Sequence, residues 1–247
     1  MIWIFPMAGY GVRTQTLGQF KPFIQIRGRR MVEWLLRSLR GKIAAGDKTV
    51  FITTEHYASE FEVESNLEKI MVRNGLDCDV HLVTCPTTPP GPAASVYTAR
   101  AYYDRETPVI VVNCDQYIDF DMFNYTSVKQ GFLPVYANFG NRSSYVDIRD
   151  GRITRIVEKQ NISNLASAGV YSLASGKALI CAIEKQFEKK DMTNGEYYVG
   201  PAMNTLIADG YELYPVAVRS KYDLGNVQGI EYFQETVFCE QAAGGCL

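Results

Sequence analysis

The chain has few histidines and no pair of closely spaced cysteines. Its two histidines are His56 and His81, and none of its six cysteines belongs to a Cys-x-x-Cys pair. A zinc site is therefore not expected, because such sites group their Cys and His ligands at short, fixed spacings. No Ser/His/Asp or Cys/His arrangement for nucleophilic catalysis is suggested either. Since no export signal precedes the first apolar segment, we expect reduced cysteines and a cytoplasmic location.

The chain also lacks any block of like charges and any long apolar run. Its formal net charge is −2, and charged residues make up 21% of the 247 residues. This balance does not predict nucleic acid or an anionic membrane as a partner, and no segment is long and apolar enough to span a bilayer. Apolar residues make up 47%, which is ample for a full core. We expect a single domain over residues 1–247.

In the first half of the chain, apolar strands alternate with amphipathic helices. Uniformly apolar strands between helices predict a parallel sheet that is covered on both faces. The second half is richer in strands, so a nucleotide-binding half, about 1–130, is expected to carry a C-terminal lobe, about 131–240. The tail 242–247 is expected to fray. Strands are predicted at 2–7, 49–54, 80–84, 108–113, 131–137, 145–149, 153–158, 168–172 and 212–218, and helices at 30–40, 60–73, 93–103, 177–189, 199–209 and 229–240.

The segment after the first strand has the composition of a triphosphate site. It reads Pro6-Met-Ala-Gly9-Tyr-Gly11-Val-Arg13, and Lys21-Pro22 follows. Glycines let backbone N–H groups approach phosphate oxygens, and the two cations would neutralise the phosphoryl group that is transferred. The alternative is an ordinary strand-to-helix turn with solvated charges.

Two aspartates are candidate metal ligands. Asp115 follows an apolar strand, at the edge where open α/β sheets bind ligands, and Asp223 comes after a late strand. Carboxylates suit Mg²⁺, which prefers oxygen, but the two residues share one ion only if the fold brings them together. The alternative is that both are turn or loop residues. Asp119 and Asp121 are interpreted as turn or helix-start residues.

Several other segments are candidates for binding the second substrate or the base. Glu158-Lys159 ends a predicted strand, and a lysine there would suit a phosphate, although a solvated charge is the commoner explanation. The segments around Gly169, Tyr171 and Glu196 would line the same pocket, or serve only as strand and helix-entry structure. The stiff loop 87–94 would wrap a base, or be a plain crossover.

Taken in order, these motifs resemble those of the sugar-1-phosphate nucleotidylyltransferase superfamily, over residues 1 to about 233. The shared motifs are a Gly-x-Gly-x-Arg loop, a Lys-Pro, a small-residue stretch, a strand-end Asp, a Glu-Lys pair, a Gly-Val-Tyr strand, a glutamate-led segment and a final Asp-Leu-Gly. In this chain they are Gly9 to Arg13, Lys21-Pro22, Gly91 to Ala94, Asp115, Glu158-Lys159, Gly169 to Tyr171, Glu196 and Asp223 to Gly225. Two positions depart from the family pattern: Val12 replaces a Thr or Ser, and Asn226-Val follows Gly225 where Thr-Pro is usual.

The resemblance implies an α/β, Rossmann-like nucleotide-binding fold (glycosyltransferase-A-like), with a central mixed, mostly parallel sheet flanked by helices. It implies Arg13 and Lys21 as catalytic residues and Mg²⁺ as the cofactor, held by Asp115 and Asp223. Homo-oligomers are common in the family. The nucleotide-binding residues would be Met7, Ala8, Gly9, Gly11, Gly91, Ala93, Ala94 and Asp115, and the acceptor-binding residues Lys159, Glu158, Gly169, Tyr171 and Glu196.

The implied reaction transfers a nucleoside monophosphate from an NTP to a phosphorylated small molecule, with a sugar 1-phosphate as the first expectation. The compact length is also similar to that of small cytidylyltransferases that act on phosphocholine or phosphorylated amino acids. Two other readings stay open. Asp119-Phe-Asp121 has the Asp-x-Asp spacing of a glycosyltransferase metal motif. The second alternative is a nucleotide sensor that binds an NTP without turnover.

Overall fold

The structure is a computed structural model that describes residues 1–242, so most of the tail expected to fray lies outside the described residues. Thirteen strands and seven α-helices occur in this part of the chain. The strands are β1 (Ile2–Pro6), β2 (Gln25–Ile26), β3 (Arg29–Arg30), β4 (Lys48–Thr54), β5 (Asp79–Cys85), β6 (Val109–Val112), β7 (Gln116–Phe120), β8 (Gln130–Ala137), β9 (Ser144–Arg149), β10 (Arg152–Glu158), β11 (Leu165–Ser167), β12 (Val170–Leu173) and β13 (Glu212–Asp223). The helices are α1 (Met31–Ser38), α2 (Glu55–Glu60), α3 (Val63–Arg73), α4 (Pro92–Thr98), α5 (Gly176–Glu188), α6 (Val199–Ala208) and α7 (Val227–Ala242).

Eleven of the strands form one sheet, in the order β5-β4-β1-β6-β12-β8-β11-β9-β10-β13-β7. As the apolar pattern predicts, β1 pairs in parallel with β4 and β6, and β4 with β5. In the second half only β8 and β13 pair in parallel, and the other pairs are antiparallel. A mixed α/β sheet is therefore present, but the expectation that it is mostly parallel was wrong. Short turns such as Asp150-Gly151, between β9 and β10, can join only antiparallel neighbours.

The sheet is buried on both faces. Along β1, Ile2 and Ile4 face one hydrophobic cluster, and Trp3 and Phe5 face another, because successive side chains of a strand point to opposite sides. Residues of α4, α5 and α6 belong to the first cluster. Residues of α1 and α3 belong to the second. This two-sided burial explains why the strands of the first half are uniformly apolar.

Several elements differ from the sequence prediction. The helix predicted at 60–73 begins three residues later, as α3, after Glu62 at a left-handed φ of 44°, and the separate helix α2 that precedes it was not predicted. The strand predicted at 168–172 is replaced by β11 and β12, with Gly169 between them at φ 72°. Asp119 lies within β7 rather than in a turn or at a helix start.

Among the described residues, none of the helices combines the length and the apolar character that a bilayer crossing requires.

Candidate active site

The loop after β1 folds back on itself through Gly11. Gly11 has a left-handed φ of 59°, and a Cβ atom there would lie 2.9 Å from the Cβ of Lys21. The glycine therefore allows two short helical turns of the loop to lie against each other. One contains Arg13 and the other begins with Lys21. Met7 and Ala8 have buried side chains, so only their backbone groups are available to a ligand. Gly9 is exposed, and a Cβ there would have no atom within 4 Å.

Asp115 follows β6 and holds the lysine of this loop. The Nζ of Lys21 donates to Oδ2 of Asp115 at 2.6 Å. Burial opposes ionisation of the carboxyl, but the charge and hydrogen bond of Lys21, with the charges of Lys221 and Arg13, lower the pKa of Asp115 to about 2. The carboxylate is therefore ionised throughout the neutral range, and its side chain is 30% exposed.

Asp223 lies beside Asp115 although the two are more than a hundred residues apart in the chain. A Cβ atom on Gly225 would lie 2.8 Å from Oδ2 of Asp115 and 2.8 Å from Oδ1 of Asp223, so the two oxygens lie within twice that distance of each other. The backbone N–H of Leu224 also donates to the carbonyl of Asp115 at 2.8 Å. Asp223 accepts from Gly225 N at 2.8 Å and from Asn226 Nδ2 at 2.9 Å, which fixes its orientation.

This pair of carboxylates suits a hard cation in the chemistry of its donor atoms. Mg²⁺ is usually held by one or two carboxylates, with water and substrate phosphate oxygens as its other ligands. Asp115 and Asp223 offer such oxygens at one point, and Gly225 leaves the space between them free of a side chain. Within residues 1–242 no group of three or more His, Cys, Asp or Glu side chains could hold a metal ion. The remaining ligands would therefore come from substrate and water.

The loop predicted to contact the base is attached to the segment that begins with Glu196. Tyr197 N donates to the carbonyl of Pro90 at 2.9 Å, and Ala93 N donates to the carbonyl of Tyr197 at 3.0 Å. Gly91 has φ 99°, and a Cβ there would lie 2.5 Å from the carbonyl oxygen of Tyr197. Ala93 and Ala94 are buried in the first turn of α4. The predicted base and acceptor segments are therefore direct neighbours.

Glu158 and Tyr171 meet in a buried hydrogen-bonded chain. The hydroxyl of Tyr171 donates to Ser144 Oγ at 3.2 Å, and the hydroxyl of Ser144 donates to the carboxylate of Glu158. Glu158 is only 7% exposed, and burial raises its pKa in spite of the Ser144 bond and the nearby charge of Lys159. Burial and the charge of Glu158 also raise the pKa of Tyr171 to about 12. Glu158 and Tyr171, which were both predicted to bind the acceptor, are thus linked to each other through Ser144.

Lys159 has a left-handed φ of 55° and is paired within the protein. Its Nζ donates to the hydroxyl of Tyr198 and lies 3.7 Å from a carboxylate oxygen of Glu196. The hydroxyl of Tyr198 in turn donates to Glu196. Burial, together with this bond and the charge of Glu196, raises the pKa of Tyr198. The charge of Lys159 is therefore already balanced by Glu196, whose side chain is 49% exposed.

Gly169 connects the acceptor side to the end of β6. Asn113 N donates to the carbonyl of Gly169 at 2.9 Å. A Cβ on Gly169 would lie 2.7 Å from Nδ2 of Asn113, so a larger residue there would collide with the Asn113 side chain. Gly169, from the second half of the chain, therefore lies against the carboxyl end of β6, beside Asn113.

Sequence reasoning missed Lys221 and Tyr198. Lys221 lies on β13 two residues before Asp223, so both side chains leave the same face of the strand. The predicted strand ended at 218, so nothing in the sequence indicated that Lys221 and Asp223 lie on one face of a strand. Arg13 was predicted, and its charge acts on Asp115 and also opposes the rise in the pKa of Tyr198. Within the described part of the chain, Arg13 forms no ion pair.

A cavity of about 430 Å³ lies apart from these residues, between the loop and α7. Phe20, Phe23, Phe61 and Ile230 are among its lining residues, and none of the predicted site residues lines it. The candidate site is instead defined by the charged side chains of Lys21, Asp115 and Asp223 at the carboxyl end of β6.

The fold is shared with known nucleotidyltransferases. Residues 6–126, about half of the chain, match the family model of the MobA-like NTP transferase domain. This match confirms the resemblance of the motifs to the nucleotidyltransferase superfamily. Among curated proteins, none matches the chain.

Solved structures share the fold along nearly the whole chain. A nucleoside-diphosphate-sugar pyrophosphorylase from Vibrio cholerae RC9 has a TM-score of 0.77 and 22% identity, and the match covers 95% of this chain and 100% of that one. A UDP-glucose pyrophosphorylase from Acinetobacter baumannii has a TM-score of 0.70 and 20% identity, covering 95% and 92%. The CTP:phosphocholine cytidylyltransferase from Streptococcus pneumoniae has a TM-score of 0.71 and 15% identity, covering 96% and 99%. At these identities the likeness shows the fold.

Proposed function

We propose that the protein transfers a nucleoside monophosphate from an NTP to a phosphorylated small molecule, a sugar 1-phosphate in the first instance, and releases pyrophosphate. The observation that carries the proposal is the convergence of Lys21, Asp115 and Asp223 at the end of β6, beside the glycine loop that bears Arg13. Cations next to ionised carboxylates suit a triphosphate that arrives with a divalent cation. The names of the similar structures support a nucleotide and a phosphorylated acceptor as the two substrates.

The chemistry needs no nucleophile from the protein. An oxygen of the acceptor phosphate forms a bond to the α-phosphorus of the NTP, and the bond from that phosphorus to the oxygen bridging to the β-phosphorus breaks. The bond's electron pair leaves with pyrophosphate. An ionised phosphate is already a nucleophile, so alignment and charge neutralisation carry the catalysis.

In this proposal the two cations of the loop act on the triphosphate. Arg13 is exposed and without an ion pair among residues 1–242, so it is free to clamp the phosphates. Lys21 stabilises the α-phosphoryl group, and its 2.6 Å bond to Asp115 holds it at that position before the nucleotide binds. Backbone groups from Met7 to Gly11 would approach the phosphates, and Gly91, Ala93 and Ala94 the base.

Asp115 and Asp223 would hold Mg²⁺ in this proposal. The ion, when bound, supplies positive charge to the phosphate oxygens. Asp115 is ionised at neutral pH and needs no proton loss to serve as a ligand. Gly225 keeps the approach to both carboxylates open.

The acceptor is assigned to the cleft beside Glu158, Lys159, Gly169, Tyr171 and Glu196. The half-exposed carboxylate of Glu196 suits the hydroxyl groups of a sugar, because an ionised carboxylate accepts several hydrogen bonds. A non-sugar phosphate with CTP as donor is the second candidate, since the chain shares its fold with a phosphocholine cytidylyltransferase.

The glycosyltransferase alternative, which rests on Asp119-Phe-Asp121, has less support than nucleotidyl transfer from the contacts of its two aspartates. Asp119 accepts from Lys42 at 2.8 Å and lies 3.7 Å from Arg219, and Asp121 also pairs with Arg219. Both carboxylates are thus paired with cations of the protein. Of Asp115 and Asp223 only Asp115 has an ion pair among residues 1–242, and the two carboxylates face each other across Gly225.

A pyrophosphate-release assay tests the proposal. Each of the four ribonucleoside triphosphates and dTTP is combined, with Mg²⁺, with sugar 1-phosphates, phosphocholine and phosphorylated amino acids. The proposal predicts release that requires one nucleotide and one acceptor together. Release of a nucleoside diphosphate from a nucleotide-sugar would instead indicate a glycosyltransferase, and nucleotide binding without turnover across the panel would favour a sensor.

A further inference from the structure

Lys221 projects into the site from the strand that ends in Asp223. It pairs with Ile118 of β7, and its Nζ lies 5.0 Å from the ring centroid of Tyr136. Its charge is one of those that hold the Asp115 carboxylate ionised. Lys21 reaches Asp115 from the loop after β1, whereas Lys221 lies on β13, on the same face as Asp223. The charges of two lysines on different elements therefore act on one carboxylate.

Tyr136 connects Lys221 to the acceptor side of the cleft. The Tyr136 hydroxyl accepts from Asn138 Nδ2 at 2.8 Å and lies 3.5 Å from Ser143 Oγ. The carbonyl of Ser143 accepts from Lys159 N at 2.9 Å, so this ring lies next to the Glu158-Lys159 pair. Lys221 thus lies between the carboxylate assigned to the metal and the segment assigned to the acceptor, where the two substrates must meet.

The charge balance of the three lysines separates Lys221 from the others. Lys21 is paired with Asp115 at 2.6 Å, and Lys159 is paired with Glu196 and Tyr198. Among residues 1–242, Lys221 forms no ion pair, and its Nζ lies over the ring of Tyr136. A phosphate dianion gains most from a cation that no carboxylate already neutralises, because charge-assisted bonds are the strong ones.

We propose that Lys221 binds the phosphate of the acceptor and places its attacking oxygen next to Asp115. The assignment rests on the proposed nucleotidyl transfer, and it moves this role from Lys159, the residue expected from the sequence, to Lys221. Lys159 instead fixes the positions of Glu196 and Tyr198. The aromatic face of Tyr136 restricts the lysine stem without supplying a competing negative charge.

Phosphate binding tests this without turnover. Inorganic phosphate is titrated by calorimetry into the protein saturated with Mg²⁺ and the α,β-methylene analogue of UTP or CTP, which cannot release pyrophosphate. Lys221→Gln is expected to weaken phosphate binding by about 10-fold or more, as the loss of a charge-assisted bond predicts. Lys221→Arg should retain most of it, and Lys159→Gln should change it less than Lys221→Gln does.

Lys129→Gln is the matched control. Lys129 also lies over a tyrosine ring, with Nζ 5.8 Å from the centroid of Tyr211, but it precedes β8, whereas Tyr136 lies near the end of that strand. This variant should bind phosphate as the wild type does. In turnover assays Lys221→Gln should raise KM for the acceptor and leave binding of the nucleotide analogue unchanged.

The outcomes separate the two proposals. If the analogue binds and Lys221→Gln binds phosphate as tightly as the wild type, the role of Lys221 is refuted while the nucleotidyl transfer stands. The role is also refuted if Lys159→Gln alone loses phosphate. If wild-type protein binds neither analogue and releases no pyrophosphate with any of the five triphosphates, the proposed function is contradicted, and the assignment of Lys221 fails with it.

Discussion

Replacing Gly225 by alanine should damage catalysis without damaging the fold. The added methyl carbon would lie 2.8 Å from an oxygen of Asp115 and 2.8 Å from an oxygen of Asp223, whereas ordinary contacts begin at 3.4 Å. Each carboxylate must therefore retreat by more than half an ångström, and they must retreat from the same point. Gly225 does not have a left-handed φ, so alanine adds no backbone strain there.

The expected cost follows from this displacement. A misplacement of about 1 Å can lower an enzymatic rate about 100-fold, so kcat should fall roughly 10- to 100-fold. Separated carboxylates should also hold Mg²⁺ less well, so more Mg²⁺ should be needed for half-maximal rate. The free energy of unfolding should change by less than about 1 kcal/mol, because both groups can move toward solvent.

Steady-state pyrophosphate release over a range of Mg²⁺ concentrations, with urea unfolding alongside, measures these quantities. A Gly225→Ala variant with unchanged kcat and an unchanged Mg²⁺ requirement would refute the inference that the two carboxylates act together. Urea unfolding is the control for a loss of activity that is caused by unfolding. In that case the free energy of unfolding of the variant falls, and the activity per folded molecule equals that of the wild type.

Two further substitutions test the charges of the site. Asp115→Asn should lower turnover by roughly 100-fold or more with the fold intact, by analogy with other lost charge-stabilising groups, whereas Asp119→Asn, on the neighbouring β7, should keep near-normal turnover. Pyrophosphate release checks both, and equal effects would contradict the assignment. Burial raises the pKa of Glu158 above its unfolded value, so the folded state holds that proton longer and loses stability as pH rises through the folded pKa. Glu158→Gln should therefore be no more stable than wild type at pH 4 and relatively more stable at pH 8, as measured by urea unfolding, and a gain confined to low pH would contradict the burial argument.

The first half of the fold was predictable because its signals are local. β1, β4, β5 and β6 are short apolar segments between helices, and all four lie within about one residue of the predicted bounds. The hydrophobic pattern of a strand does not depend on whether its neighbours run parallel or antiparallel to it. The antiparallel pairing of the second half was therefore not predicted. The extension of β13 to Asp223 was missed because residues 219–223 are polar and are held by pairing with β7, a contact between distant parts of the chain.

In the candidate site, too, some features could be predicted from local patterns and others depend on contacts between distant parts of the chain. Asp115 and the loop with Arg13 and Lys21 could be identified because each follows a recognisable apolar strand. The closeness of Asp223 to Asp115 depends on the register of β13 against β7, which no local pattern encodes. The pairing of Lys159 with Tyr198 and Glu196 depends on the entry to α6, and it was invisible for the same reason.

The most direct test of the central claim is a phosphorus NMR time course of protein, Mg²⁺, triphosphate and phosphorylated acceptor. Nucleotidyl transfer at this site predicts equal amounts of pyrophosphate and of a new diphosphate diester with wild-type protein, and almost none with Asp115→Asn. Formation of a nucleoside diphosphate instead, or equal product from wild type and Asp115→Asn, would contradict the account.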